Sequence, residues 1–290
     1  MDGKTGHEKQ TSSLTKSLSL QIKTNIFNIQ IKNLLHLIYN LKQHFKTLPK
    51  PDFIVCAGHK THIPMILLKF IYGGKSIVIM KPSLPCSWFD LCIIPKHDNF
   101  MGKGLIYRTK GVLARTNSLL KKNQKKGLIL IGGISKHYEW DSKKLIYQVE
   151  ELLKKNISIN FVLSVSRRTP IDFIKKINGL EFDNLKIHSI KKQNDSWLEN
   201  QMNKTKYAWI SEDSISMIYE SLTAGQIVGV LNMSGKKNSR IVNEVAELKK
   251  EGLIFANTNK TYKNKIKPNN KFNEAIRCAK FIKKNFCNTN

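Results

Sequence analysis

Between residues 127 and 250 the chain alternates short apolar runs with amphipathic stretches, and few architectures satisfy that alternation. The pattern predicts strands over 127–131, 158–164, 185–189, 207–210 and 227–231, and helices over 142–154, 170–177, 195–203, 214–223 and 239–250. Strand, helix and strand in repetition give an α/β fold whose parallel strands are joined by right-handed crossovers. The runs are apolar without strict alternation, as in strands covered on both faces. Ligands of such sheets sit outside the carboxyl ends of the strands. The loops that follow the strands are therefore where chemistry is expected.

The first half carries the same theme with an unusual beginning. Residues 14–48 hold spaced apolar positions and predict a helix or a helix pair, although 22–31 also alternates and could include a strand. Strands are expected over 53–57, 76–80, 91–94 and 105–107, and a helix over 63–72 stopped by Gly73-Gly74. The basic stretch 121–126 marks a boundary, and a last helix is expected over 269–286. The architecture expected is two Rossmann-like domains with a cleft between them. The first spans 1–122 and the second 123–270, and a helix in 271–290 returns to the first.

Composition excludes several classes. Of 49 basic residues only six are arginine, and the net charge is +28. Lysine pairs such as Lys121-Lys122, Lys154-Lys155 and Lys249-Lys250 are scattered, not gathered beside aromatics. Sequence-specific nucleic-acid reading is therefore not expected, whereas attraction to an anionic membrane surface is. The five cysteines have no metal-ligand spacing and mostly lie in apolar runs, which suits reduced, buried thiols. No run approaches the ~20 apolar residues that span a bilayer. A cytoplasmic protein, peripheral at the inner face of a membrane if bound to one, is expected.

Three loops at predicted strand ends are rich in anion-binding groups. Gly132 and Gly133 permit close backbone approach, and Ser135, Lys136 and His137 follow them. Ser166, Arg167 and Arg168 precede Pro170, which suits a first helical turn. Asp213, Ser214, Ser216 and Met217 open the helix that carries Glu220 nearly two turns on. Free N–H groups at a helix start bind anions, and Glu220 is placed to accept hydrogen bonds from a ribose diol. The plainer account is a capped βαβ unit with Glu220 solvated and His137 stacked between Tyr138 and Trp140. No P-loop and no G-x-G-x-x-G is present. At the amino end, Asp2-Gly3-Lys4-Thr5-Gly6-His7-Glu8 reads either as a phosphate or acceptor loop or as a loose tail.

The pieces DGKTGHEKQ, PDFIVCAGHKT, FDLCIIPKHD, GGISKHYEWD, SRRTP and DSISMIYESLTAG occur in an order that resembles the mitochondrial-fission "elongated mitochondria" family, over nearly the whole chain. The resemblance implies a GT-B-like glycosyltransferase architecture, with a nucleotide sugar held in the second domain and an acceptor facing the first. It implies phosphate contacts from the three loops above and the ribose contact from Glu220. His7 or Glu8 would be the general base, with acceptor-side loops contributing Lys4, Gly6, Gly58, His59, Lys60 and His97. No acidic pair stands where a bridging cation would be held, so no metal and no cofactor are expected beyond the nucleotide sugar. A non-catalytic membrane-surface adaptor and a nucleotide-sugar epimerase are the alternatives.

Two departures from the family pattern matter. Members carry a strand before the DGKxGH loop, whereas this sequence starts inside it, so either the protein starts upstream or a segment such as 22–31 supplies the strand. Met80-Lys81-Pro82-Ser83-Leu84-Pro85 lacks the polar first residue and the arginine of the family's corresponding loop.

Overall fold

A computed structural model describes residues 1–31, 48–98, 100–114, 122–188, 195–256 and 272–287. The chain divides into two compact units, Met1–Arg115 with Asn273–Asn290, and Thr116–Phe272. The fold is mixed α/β with parallel sheets, as the alternation predicts.

In the first unit, β1 (Phe53–Ala57), β2 (Lys75–Ile79), β3 (Leu91–Pro95) and β4 (Ile106–Thr109) form a parallel sheet in sequence order. Both faces are apolar. Ile77, Ile79, Leu91 and Ile93 pack with Leu14 and Leu18 of α1 (Thr5–Ser19) and with Ala275, Cys278 and Ile282 of α8 (Glu274–Ile282). On the opposite face Val78, Cys92 and Ile94 meet Met65 of α2 (His62–Tyr72). Strand residues that differ by one in number thus belong to different cores, which is why the runs lack polar positions.

The amino-terminal expectations need correcting. Helix α1 begins at Thr5, so Gly6, His7 and Glu8 lie in its first turn and not in a loop before a helix at Leu14; Lys4 is its N-cap. Residues 22–31 form no strand. Ile22 N–H closes the end of α1 on Leu18 O (3.0 Å), the Met1 amino group donates to Ile29 O (2.6 Å), and Ile31 N–H donates to Met1 O (2.9 Å). The rest of the helical expectation for 14–48 lies at 32–47, outside the described residues.

The second unit is a six-stranded parallel sheet in the order β12-β10-β9-β5-β7-β8. Its strands are β5 (Asn123–Ile131), β7 (Asn160–Val165), β8 (Leu185–His188), β9 (Thr205–Ser211), β10 (Ile227–Leu231) and β12 (Ile254–Ala256). The crossover helices are α3 (Ser142–Lys155), α4 (Ile171–Asn178), α5 (Asp195–Lys204), α6 (Ile215–Thr223) and α7 (Arg240–Lys250). A small antiparallel pair, β6 (Tyr138–Glu139) with β11 (Ser234–Gly235), ties the loop after β5 to the loop after β10. The core gathers Ile129, Ile131, Val149, Leu153, Phe161, Phe173 and Trp209, all buried.

The strand order carries a consequence. From β5 the chain moves outward to β7 and β8, then α5 returns it to β9 on the other side of β5, and growth continues to β10 and β12. The winding direction therefore reverses between β5 and β9, and their carboxyl ends diverge into loops on opposite faces.

Candidate functional site

At that reversal, Ser211, Glu212, Asp213 and Ser214 follow β9, and Gly132 and Gly133 follow β5. Asp213 is the knot between them, with a side chain that has no solvent exposure. Its Oδ2 accepts from Gly133 N–H (2.9 Å), Arg168 Nη2 (3.1 Å) and Ser214 Oγ (3.3 Å), and its Oδ1 accepts from Ser211 Oγ (2.7 Å). Ser211 Oγ in turn accepts from Gly132 N–H (2.7 Å). A Cβ on Gly132 would overlap the Asp213 carboxylate, and one on Gly133 the Arg168 carbonyl. These glycines are required by loop-to-loop packing.

The same geometry sorts the remaining candidates into those engaged and those available. Arg168 also donates through Nη1 to Ile134 O (2.9 Å) and Gly133 O (3.3 Å), so its guanidinium holds the loops together. Ser166 Oγ donates to Gly132 O (2.8 Å) and accepts from Arg168 N–H (3.1 Å). Ser135 Oγ accepts from the N–H groups of His137 and Tyr138 in a tight turn. The ring of His137 meets Ser239 Oγ at the start of α7 (2.9 Å). Burial, then the positive charges of Lys136 and Arg240, lower the His137 pKa. Lys136 and Arg167 are exposed and make no side-chain hydrogen bond among the described residues.

Helix α6 starts at this knot without a side-chain cap. Ser214 occupies the N-cap position, but its hydroxyl is turned to Asp213. The first-turn N–H groups of Ile215, Ser216 and Met217 are thus uncapped by any side chain, Ser216 being exposed. Such an end attracts anions. Glu220 stands half-buried further along the same helix. The plainer capped-βαβ account fails on one point: neither Asp213 nor Ser214 caps the helix.

The first unit has its own polar cluster, at the carboxyl end of β1. His7 Nδ1 lies 2.8 Å from Asp2 Oδ2, and the Asp2 side chain is 1% exposed against 19% for His7. Asp2 Oδ1 accepts from Lys4 N–H (3.2 Å). Burial pushes the Asp2 carboxyl up, but the His7 and Lys4 hydrogen bonds outweigh it, and the net pKa lies below the ordinary value. Gly58, at φ +97, brings the backbone against this pair, and a Cβ there would overlap His7. Glu8 is turned away and accepts from Gln30 Nε2 (3.1 Å), so it does not share the His7 environment.

Beside this pair, His62 Nδ1 contacts Ser83 Oγ (2.9 Å) and accepts from Ser83 N–H (3.3 Å). Burial, then the charges of His59 and His7, bring the His62 pKa down to about 4. The segment that departs from the family pattern, 80–85, thus reaches the cluster through Ser83. Met80 there holds a left-handed backbone at φ 73, a conformation uncommon for a residue with a side chain. His59 and Lys60 are exposed nearby, Lys4 and Gly6 are exposed on α1, and the side chain of His97 lies outside the described residues.

Sequence reasoning missed Asp2 as the partner of His7, His62 with Ser83, and Ser211 as the second arm of the Asp213 knot. Only the crowding of Ser211, Glu212, Asp213 and Ser214 at a strand end signalled the last of these.

A model of the family described as mitochondrial fission ELM1 matches residues 5–286. An uncharacterised protein of Rickettsia prowazekii is 24% identical over 97% of this chain and 96% of its own length. The UDP-GlcNAc 2-epimerase of Methanocaldococcus jannaschii is 13% identical, with a TM-score of 0.56 over 96% of this chain and 97% of that one. The Neisseria meningitidis UDP-GlcNAc 2-epimerase bound to UDP-GlcNAc is 17% identical, covering 83% and 75%, with a TM-score of 0.47. The fold is GT-B-like.

Proposed function

Since this chain belongs to the mitochondrial fission ELM1 family, we propose that it is a metal-independent glycosyltransferase whose donor is a nucleoside-diphosphate sugar and whose acceptor is associated with a membrane. The observation that carries this reading is the uncapped start of α6 at the strand-order reversal, where exposed cations stand on neighbouring loops. The first-turn N–H groups and the Ser216 hydroxyl accept the diphosphate, Lys136 and Arg167 supply charge, and Glu220 accepts from the ribose diol. Asp213, Ser166 and Arg168 position these groups without touching the donor. The fixed backbone behind the open helix start supports this reading.

Transfer then breaks the bond from the sugar's C1 to the diphosphate oxygen, which leaves with the electron pair. Helix-end donors and side-chain cations oppose the charge as it develops, the part a cation would otherwise play. His7 is the general base, and Glu8, held by Gln30, is not. With Asp2 accepting from Nδ1–H, the other ring nitrogen, Nε2, takes the acceptor hydroxyl's proton as its oxygen bonds to C1. Direct displacement of this kind inverts the anomeric centre.

Melting of the protein with UDP-, GDP-, CMP- and ADP-sugars tests donor binding. Glu220→Ala removes a hydrogen bond to a charged group worth ~1.5–3 kcal/mol, so nucleotide affinity should fall roughly ten- to a hundred-fold with the fold intact. Unchanged affinity would remove the ribose role. Turnover should persist in excess EDTA, and loss that Mg²⁺ or Mn²⁺ restores would contradict the metal-independent mechanism. Release of an epimerised donor without transfer would favour the epimerase alternative.

A further inference from the structure

Helix α2 buries one side and leaves the other without a polar residue. His62, Met65 and Leu68 face the unit's interior. On the outside Ile63 is 55% exposed, Phe70 88% and Ile71 53%, with Ile66 and Leu67 half-buried between them. These five positions follow helical spacing and form one stripe along the helix. An apolar helix face is normally covered by something, and exposed stripes of this kind mark interaction surfaces. The single lysine within the helix, Lys69, leaves the stripe to pair with Asp90 at 2.6 Å.

We propose that this face of α2 lies in the interface of an anionic lipid bilayer. Charge selects that occupant. The chain carries a net +28, and Lys60 and Lys75 stand exposed just before and after the helix. A second copy would bring the same charge against itself, whereas anionic headgroups complement it. Helix α2 has 11 residues, and no described helix is long and apolar enough to cross a membrane. It therefore lies along the surface, with Phe70 and its neighbours among the upper acyl chains. Trp88, 55% exposed, adds an aromatic of the kind enriched at headgroup level. It adjoins Phe89, which packs edge-on against His62 at the helix start (5.7 Å).

A single 3-10 turn, His59–Thr61, separates the helix from Gly58, on which His7 and Asp2 pack. A bilayer against α2 brings that cluster towards the headgroup boundary, where a lipid-linked hydroxyl would be presented. This last step alone rests on the transferase reading; the lipid contact does not.

Co-sedimentation with phosphatidylcholine vesicles, with and without phosphatidylglycerol, tests the contact. The protein should partition to the anionic vesicles, and the Ile63→Ser, Phe70→Ser, Ile71→Ser variant should bind them at least about ten-fold more weakly. In a second measurement, the added indole emission of a Phe70→Trp variant should be quenched by brominated lipid. Equal binding by the triple variant, equal binding to both vesicle types, or no quenching overturns the proposal. So does a dimer of the native chain that the triple variant dissolves. Nucleotide affinity of the triple variant should stay unchanged, which separates failure of the lipid contact from failure of the donor site.

Discussion

At the scale of single residues, the sequence displayed donors and acceptors, and folding decided which of them were spent on one another. Arg168 and Arg167 are indistinguishable as letters, yet one is tied to Asp213 and the other makes no side-chain hydrogen bond among the described residues. That difference depends on β5, β7 and β9 being neighbours, which no local pattern encodes. His7 was legible as a chemical residue, whereas its Asp2 partner was not, because Asp2 sits just outside the helix that carries His7. His62 yields a measurable consequence. Its folded-state pKa of about 4 lies below the ~6.5 of an unfolded chain. As pH falls from 6.5 the unfolded state binds the proton first, so stability should drop towards about pH 4 and then level off for this group. The loss is at most about 3–4 kcal/mol. Asp2, depressed below its ordinary value, contributes stability that is lost only at lower pH, as its folded value is crossed. Urea unfolding across this range, with His62→Asn alongside, checks the assignment. The variant keeps an acceptor for Ser83 but should lose the slope between pH 6.5 and 4; an unchanged slope would assign it to another group.

At the scale of elements, the helices and long strands of Thr116–Phe272 were legible because each carries its own period and stop signals. The last strand, Ile254–Ala256, and the two-residue pair β6–β11 are too short to hold a period. Residues 22–31 teach the complementary lesson. Their alternation suits a strand, but a strand exists only beside a partner edge, and among the described residues the main chain of 23–31 bonds only to that of Met1. Likewise β1 pairs among the described residues with β2 alone. A cavity of about 510 Å³ is lined by Met1, by Thr11, Thr15 and Leu18 of α1, by 22–29 and by β1. The hydrogen bonds of Met1 to Ile29 and Ile31 are those of a parallel ladder one residue long. A segment of about six alternating apolar residues fused ahead of Met1, ~20 Å when extended, should enter that space and raise the melting temperature. Replacing its centre with proline should cancel the gain. Equal melting of extended and parent chains would show that the cavity is not shaped for a strand.

At the scale of the whole molecule, each unit has its own sheet and its own core, and the candidate donor groups all belong to Thr116–Phe272. A chain with two cores need not unfold as one, and calorimetry is expected to resolve two transitions. A ligand that binds only the native second unit stabilises it by about 2.7 kcal/mol at a hundred-fold excess over its dissociation constant. A nucleoside diphosphate should therefore raise one transition and leave the other where it was. The transition that responds should also be lowered by Asp213→Asn. That substitution removes the charge facing Arg168 and misplaces an N–H₂ among donors, a loss of about 2–3 kcal/mol after allowance for the half-exposed guanidinium. The transition sensitive to His62 should ignore both changes. If the nucleotide instead raises the His62-sensitive transition, or shifts neither, the loops at the β5–β9 reversal are packing devices alone and the donor site lies elsewhere.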